Sequence, residues 1–182
     1  MNKLKRFRKD KNHFFASDHH SPLSGEQQQA FTGLHYFAEN PDLHFEVTVE
    51  EYPDKQEIQM QTSTGGVQSY QRYGRLRFTV EGQEAELTLY ASEDSFFLPF
   101  VDALAGKETY GAGRYLDPIQ SGDGKFLIDF NYAYNPYCAY NDLYTCPLTP
   151  WENRLKVPMR AGEKIPQGRW VDHEELQGID AE

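Results

Sequence analysis

From Leu43 onward, apolar and polar residues alternate with a period of two. Phe45, Val47 and Val49 are interleaved with His44, Glu46, Thr48 and Glu50, which predicts a strand with one face in water. Glu57 to Thr62 alternates again, with Ile58 and Met60 directed inward, and Gly65-Gly66 supplies a tight turn. Val67 to Val80 reads as one long strand, or two with a bend at Gly74, and Leu76, Phe78 and Val80 point one way. Glu81-Gly82 turns the chain, after which Ala85, Leu87 and Leu89 return inward. Phe96 to Val101 is apolar enough for burial on both faces, and Gly113 to Asp117 and Lys125 to Asn131 complete the set. No long helix separates these segments. Residues 44–50, 57–62, 67–80, 83–91 and 125–131 are therefore expected to be antiparallel strands of one sheet. Rolling that sheet, or closing it into a barrel, removes exposed edges. The fold class is mostly β: an antiparallel rolled sheet or barrel with N-terminal helices and a long ordered proline- and tyrosine-rich loop region.

The period differs at the two ends. Residues 3–17 fit an amphipathic helix, with Leu4, Phe7 and Phe14 near one face and the cations on the others. Such a helix packs on the domain by its aromatic face, or alternatively lies on an anionic membrane. Ser24 followed by Gln27 is a capping box for a short helix through about Phe31. Beyond Asn131 the regular pattern stops. The segment is rich in proline, and five tyrosines between Tyr132 and Tyr144 argue for ordered covering loops rather than disorder. The chain is expected to be a single domain over residues 1–182. Its parts are an N-terminal helical segment (1–33), a β core (43–131), covering loops (132–166) and an acidic tail (168–182) that frays.

Composition narrows the function classes. A chain of 182 residues suits one domain, and an aromatic content of 14% can fill its core. The net charge is −10, and six of the 18 basic residues fall within positions 1–11, which leaves the remainder at −15. Such a body repels phosphate backbones, so no nucleic-acid partner is expected. No apolar run approaches the roughly 18–20 residues of a membrane span, and no apolar core of a secretory signal follows the charged start. The expected compartment is the cytoplasm. There Cys138 and Cys146 are expected to touch through shared loop packing and to stay reduced. Seven residues separate them, whereas zinc ligands come in pairs two to four apart. The histidines at 13, 19 and 20 cluster in and before a loop, where solvation is the ordinary outcome, so no metal site is assigned.

Chemistry concentrates between Lys107 and Lys164. Arg114 follows Gly111-Ala112-Gly113 and offers a planar fork for a carboxylate or phosphate. The plainer alternative is a structural salt bridge. Lys107 precedes these glycines and no Gly-Lys-Ser/Thr follows, so this is not a phosphate loop. Asp129 and Asn131 leave the same face of their strand, and Tyr134 and Tyr140 could wall a pocket beside them; alternatively the polar side chains cap their own turns. Glu152 or Glu163 could act as a base beside Arg154 or Arg160, or the charges could pin the loop. If the strand of Arg114 pairs with that of Asp129, the two groups meet across the sheet. The covering loop would then bring Glu152 and Arg154 to the same end. The candidate site is thus Asp129 and Glu152 as catalytic carboxylates, with Arg114, Asn131, Tyr134, Tyr140 and Arg154 binding a small polar or anionic ligand at a barrel mouth. No cofactor is legible. The function expected is a small-molecule binder or an enzyme, with carboxylate-assisted hydrolysis the least forced reaction. The alternatives are a non-catalytic interaction module using exposed tyrosines and Trp151, and a membrane-surface protein tethered by the basic helix.

Several runs are long and specific. They include Phe97-Leu98-Pro99-Phe100, Gly113-Arg114-Tyr115-Leu116, Asp129-Phe130-Asn131, Tyr134-Asn135-Pro136-Tyr137-Cys138-Ala139-Tyr140-Asn141, Glu152-Asn153-Arg154-Leu155 and Arg160-Ala161-Gly162-Glu163-Lys164. With Ser21-Pro22-Leu23 and Phe31 to Leu34, they resemble the bacterial and archaeal family known as domain of unknown function 1684, over about residues 5–165. The resemblance implies that the chain is one unit, and it brings no activity with it.

Overall fold

Asn2 caps the first element, accepting a hydrogen bond from the Lys5 amide at 2.8 Å, and α1 runs over Lys3–Ser17. The computed structural model describes residues 2–168, and the acidic tail predicted to fray lies beyond them, outside the described residues. The packed face of α1 differs from the one expected. Leu4 and Phe15 are buried, Phe14 is partly so, and Phe7 is 36% exposed with its ring edge against Tyr132. Leu4, Arg8, Lys11 and Phe15 follow helical spacing, so two cations share the buried stripe. Arg8 Nη1 donates to the Phe37 carbonyl at 3.0 Å, and Lys11 Nζ lies 2.5 Å from the Glu163 carboxylate. Their aliphatic stems cover apolar surface while the heads find oxygen partners. The helix is docked on the body. The capping box at Ser24 and Gln27 forms as expected and starts α2 (Gly25–Ala30).

Among the described residues nine strands follow: β1 (His44–Thr48), β2 (Glu50–Glu51), β3 (Glu57–Gln61), β4 (Val67–Val80), β5 (Gln83–Ala91), β6 (Phe96–Phe100), β7 (Arg114–Leu116), β8 (Ile119–Gly122) and β9 (Lys125–Asp129). Every named pair is antiparallel, but the strands form two sheets rather than the expected one. The smaller has the order β1-β9-β8, and the larger β2-β4-β5-β6-β7, with β3 also paired to β4. β7 and β9 therefore do not pair. Pro118 stands between β7 and β8; it lacks an amide donor and restricts Asp117, so the ladder stops there and the chain crosses to the smaller sheet.

The two sheets bury one core between them. Phe126 and Ile128 of β9, with Phe45 and Val47 of β1, pack against Leu76, Phe78, Leu87, Leu89, Leu98 and Phe100 of β4 to β6. The β4–β5 register sets Leu76 opposite Leu87 and Phe78 opposite Ala85, so the predicted alternation holds across the hairpin. The bend expected at Gly74 is a bulge in which the pairing shifts between Arg72 and Gly74. A Cβ on Gly74 would meet the Glu50 carbonyl at 2.6 Å, so only glycine lets β2 cross here.

No strand ladder among the described residues closes a barrel; the larger sheet is rolled by the covering loop instead. Tyr134 bridges Tyr115 on β7 through paired backbone bonds of 2.8 and 3.0 Å. Further along, Pro147 bridges Thr62 just past β3, and the Leu148 amide donates to the Gln61 carbonyl at 2.8 Å. One loop thus ties β7 to the end of β3. Its second half lies along β6: the Val101 amide donates to the Asn153 carbonyl at 3.0 Å, and the Leu155 amide to the Val101 carbonyl at 2.7 Å. Gly162 (φ 74°) then passes so close that a Cβ would sit 2.6 Å from the Ala133 carbonyl.

Candidate functional site

Of the seven residues singled out from sequence, Arg114 is the most deeply placed, at 1% exposure. Its Nη1 donates to the carbonyls of Ala161 (2.5 Å) and Glu163 (2.9 Å), and its Nη2 to that of Met159 (2.8 Å). Asp102 lies 3.9 Å away and fixes the same segment by accepting from the Met159 amide at 2.8 Å and from Thr109 Oγ1 at 2.6 Å. Burial pushes the Arg114 guanidinium down to about 10, against the opposing pull of Asp102 and Glu163. Its fork is spent on backbone carbonyls of the covering loop. The expected reach from Arg114 to Asp129 does not exist, because the two lie on strands of different sheets.

The other candidates are also committed locally. Asp129 accepts from the amide (3.0 Å) and side-chain Nδ2 (2.8 Å) of Asn131. Asn131 in turn exchanges two 2.8 Å bonds with the backbone of Asn40. Glu152 takes a two-pronged bond from Arg72, at 3.0 and 2.6 Å, and another from the Tyr90 hydroxyl. Burial raises the Glu152 carboxyl, but the Arg72 and Tyr90 bonds outweigh it and leave it below its ordinary value. Arg154 stacks over the exposed Trp151 ring at 4.8 Å. Tyr140 is buried and donates to Glu163 at 3.1 Å, within a polar knot completed by Lys11 and the Asn135 amide. Of the seven, Tyr134 lines an open groove on the larger sheet, and the other six are not among that groove's described lining residues.

That groove has a volume of about 570 Å³ and opens beside β4, β6 and β7 of the larger sheet, where the covering loop straps its edges. Its wall is a chain of aromatic rings. Tyr70 stacks on Phe97 at 5.1 Å, Phe97 meets Tyr115 edge-on at 4.8 Å, and Tyr115 meets Tyr134 edge-on at 5.8 Å. The Tyr115 hydroxyl donates to the Pro147 carbonyl, which locks the ring to the strap. Asp117 supplies the only charge among the described lining residues, and accepts a 2.9 Å bond from the Tyr134 hydroxyl. Asp117 is accessible at the rim, yet the wall behind it desolvates its carboxyl and raises it. The Tyr134 bond and the nearby Lys11 only partly offset that rise. Burial and the same carboxylate raise the Tyr134 phenol.

Tyr70, Phe97, Tyr115 and Asp117 were not selected from the sequence. The signal available was Tyr115-Leu116-Asp117-Pro118: a strand ending at an acid that the following proline holds extended.

Fold and groove together define a small antiparallel β protein, its larger sheet rolled by a loop and carrying an aromatic groove. The family model described as "Protein of unknown function (DUF1684)" matches residues 29–164. The chain belongs to that family. The chain is also similar to an uncharacterized protein of Haloarcula marismortui solved by NMR. The identity is 33%, the match covers 89% of this chain and 92% of that one, and the TM-score is 0.67. A search of curated proteins gave no match. Among the described residues no helix is long and apolar enough to cross a membrane.

Proposed function

We propose that this protein binds a small neutral or cationic ligand in the groove walled by Tyr70, Phe97, Tyr115 and Tyr134. One observation carries the reading: a single carboxylate, Asp117, set among aromatic faces with no cation among the described lining residues. Aromatic faces attract cations and methyl-rich or CH-rich surfaces, and the carboxylate adds a full negative charge and two acceptors. An anion held through Arg114 is a poorer fit, since that guanidinium is buried and bonded to three carbonyls. The groove offers one acid and, among the described lining residues, no thiol or histidine, which suits binding better than hydrolysis.

The test is a titration followed in amide NMR spectra, with tetramethylammonium as probe and inorganic phosphate as control. Tetramethylammonium should shift the amides of Tyr70, Phe97, Tyr115, Asp117 and Tyr134, and phosphate should leave them in place. Shifts produced by phosphate alone would reverse the assigned charge preference. A second reading, a protein-interaction surface, draws on Leu143 and Trp151, each 83% exposed. It predicts that Trp151→Ala leaves the tetramethylammonium titration unchanged.

A further inference from the structure

Two sulfurs sit together outside the groove chemistry. Cys146 is buried and Cys138 half-buried. The Cys138 amide donates to Cys146 Sγ at 3.4 Å, and the two cysteine side chains interact directly. The backbone holds Cys146 in place on both sides: its amide donates to Ser63 Oγ at 3.0 Å, and its carbonyl accepts from the Ser63 amide at 2.9 Å. The other titratable groups beside the pair are Tyr110 and Tyr115, whose phenols burial pushes up, so both stay neutral near pH 7. The two thiols are therefore unequal. Hydrogen bonds, first that from Cys138, hold the Cys146 thiol below its ordinary value, while the same bond and burial push Cys138 up. A thiolate is the reactive form of cysteine, and a neutral thiol in contact with it is placed to trap an oxidised sulfur.

We propose that Cys146 and Cys138 form a hydroperoxide-reactive dithiol, in which Cys146 is oxidised first and Cys138 resolves it as a disulfide. In the first step the Cys146 thiolate attacks one oxygen of hydrogen peroxide. The O–O bond breaks, an S–O bond forms, and hydroxide leaves, giving a sulfenic acid. In the second step Cys138 sulfur attacks Cys146 sulfur, the S–O bond breaks, and the Cys138 proton leaves with the hydroxyl as water. The two sulfurs lose two electrons in all, and the peroxide gains them.

The experiment uses the full chain, reduced and then exposed to hydrogen peroxide. Wild-type protein should lose two hydrogens by intact mass, with both cysteines in one linked peptide. Cys138→Ser should instead trap one dimedone on Cys146. A wild-type measurement guards against a variant that misfolds. Iodoacetamide should modify Cys146 at pH 7 within about twofold of its rate at pH 9, whereas an ordinary thiol slows about 25-fold over that range. Unchanged mass after peroxide, added oxygens without a link, or iodoacetamide uptake at Cys138 ahead of Cys146 would each overturn the proposal.

Discussion

Replacing Arg114 by alanine is expected to cost about 3–5 kcal/mol of folding stability, the range for breaking a buried charge pair by removing one partner. The change strips Asp102 of its buried cation. It also leaves the carbonyls of Met159, Ala161 and Glu163 without their donor. In a chain of this size each kcal/mol moves the melting temperature by about 2–4 °C, so the shift should be unmistakable by calorimetry. Arg114→Lys should recover little, because an ammonium cannot span three carbonyls in one plane. A small loss of stability would contradict the structural role assigned to this residue.

The second large effect is expected at Asn153, which is fully buried and acts as a piece of sheet. Its Oδ1 accepts from the Thr88 amide on β5 at 2.8 Å, and its Nδ2 donates to the Thr88 and Pro99 carbonyls at 2.8 Å each. One side chain thus pairs with backbone of both β5 and β6. Asn153→Ala leaves three buried backbone groups unpaired, at roughly 1–3 kcal/mol each, and a net loss of about 3–5 kcal/mol is expected once water reaches some of them. Asn153→Asp should be worse than alanine despite its shape, because a carboxylate would then face two carbonyl oxygens. Chemical denaturation of the two variants gives the order directly; aspartate more stable than alanine would refute the assigned hydrogen bonds.

Both residues show where sequence reading stops. Their partners are main-chain groups, which every residue carries, so nothing in the chain marks which arginine or asparagine will find them. Side-chain periodicity was a better guide. It located β1, β3 to β5 and β9, because each has polar positions alternating with apolar ones over part of its length; β6 was marked by its unbroken apolar run instead, and β7 by the segment Gly113 to Asp117. It missed β8, whose four residues are all exposed, and β2, which is two residues long. It also could not tell one sheet from two, since alternation says which residues face a core but not which strand lies beside which. The helix face was misjudged because Arg8 and Lys11 were assumed to seek water. They find the Phe37 carbonyl and Glu163 instead.

The same limit shaped the candidate site. Arg114 was joined to Asp129 by assuming that β7 and β9 pair, and the break at Pro118 puts them in different sheets, while Asp129 and Asn131 stay together by bonding to each other. Tyr134 is the one of the seven that lines the groove, because its backbone bridges the covering loop to Tyr115 on β7 and its ring meets the Tyr115 ring. Asp117 was hidden in plain view at the end of that strand.

Asp117 is proposed to serve a ligand rather than the fold, and Asp117→Asn tests this in one pair of measurements. Asp117 has a carboxyl raised in the folded chain, so ionising it disfavours folding. That penalty is absent well below the ordinary aspartate value, and is fully present above the raised one. At pH 7 asparagine removes the penalty and keeps an acceptor for the Tyr134 hydroxyl. The variant should therefore melt higher than wild type at pH 7, and the gain should vanish in strong acid. Its affinity for tetramethylammonium should fall about tenfold, the equivalent of about 1.4 kcal/mol. Higher stability together with weaker binding is the predicted result; a variant that melts lower at pH 7, or that binds tetramethylammonium as well as wild type, would contradict it.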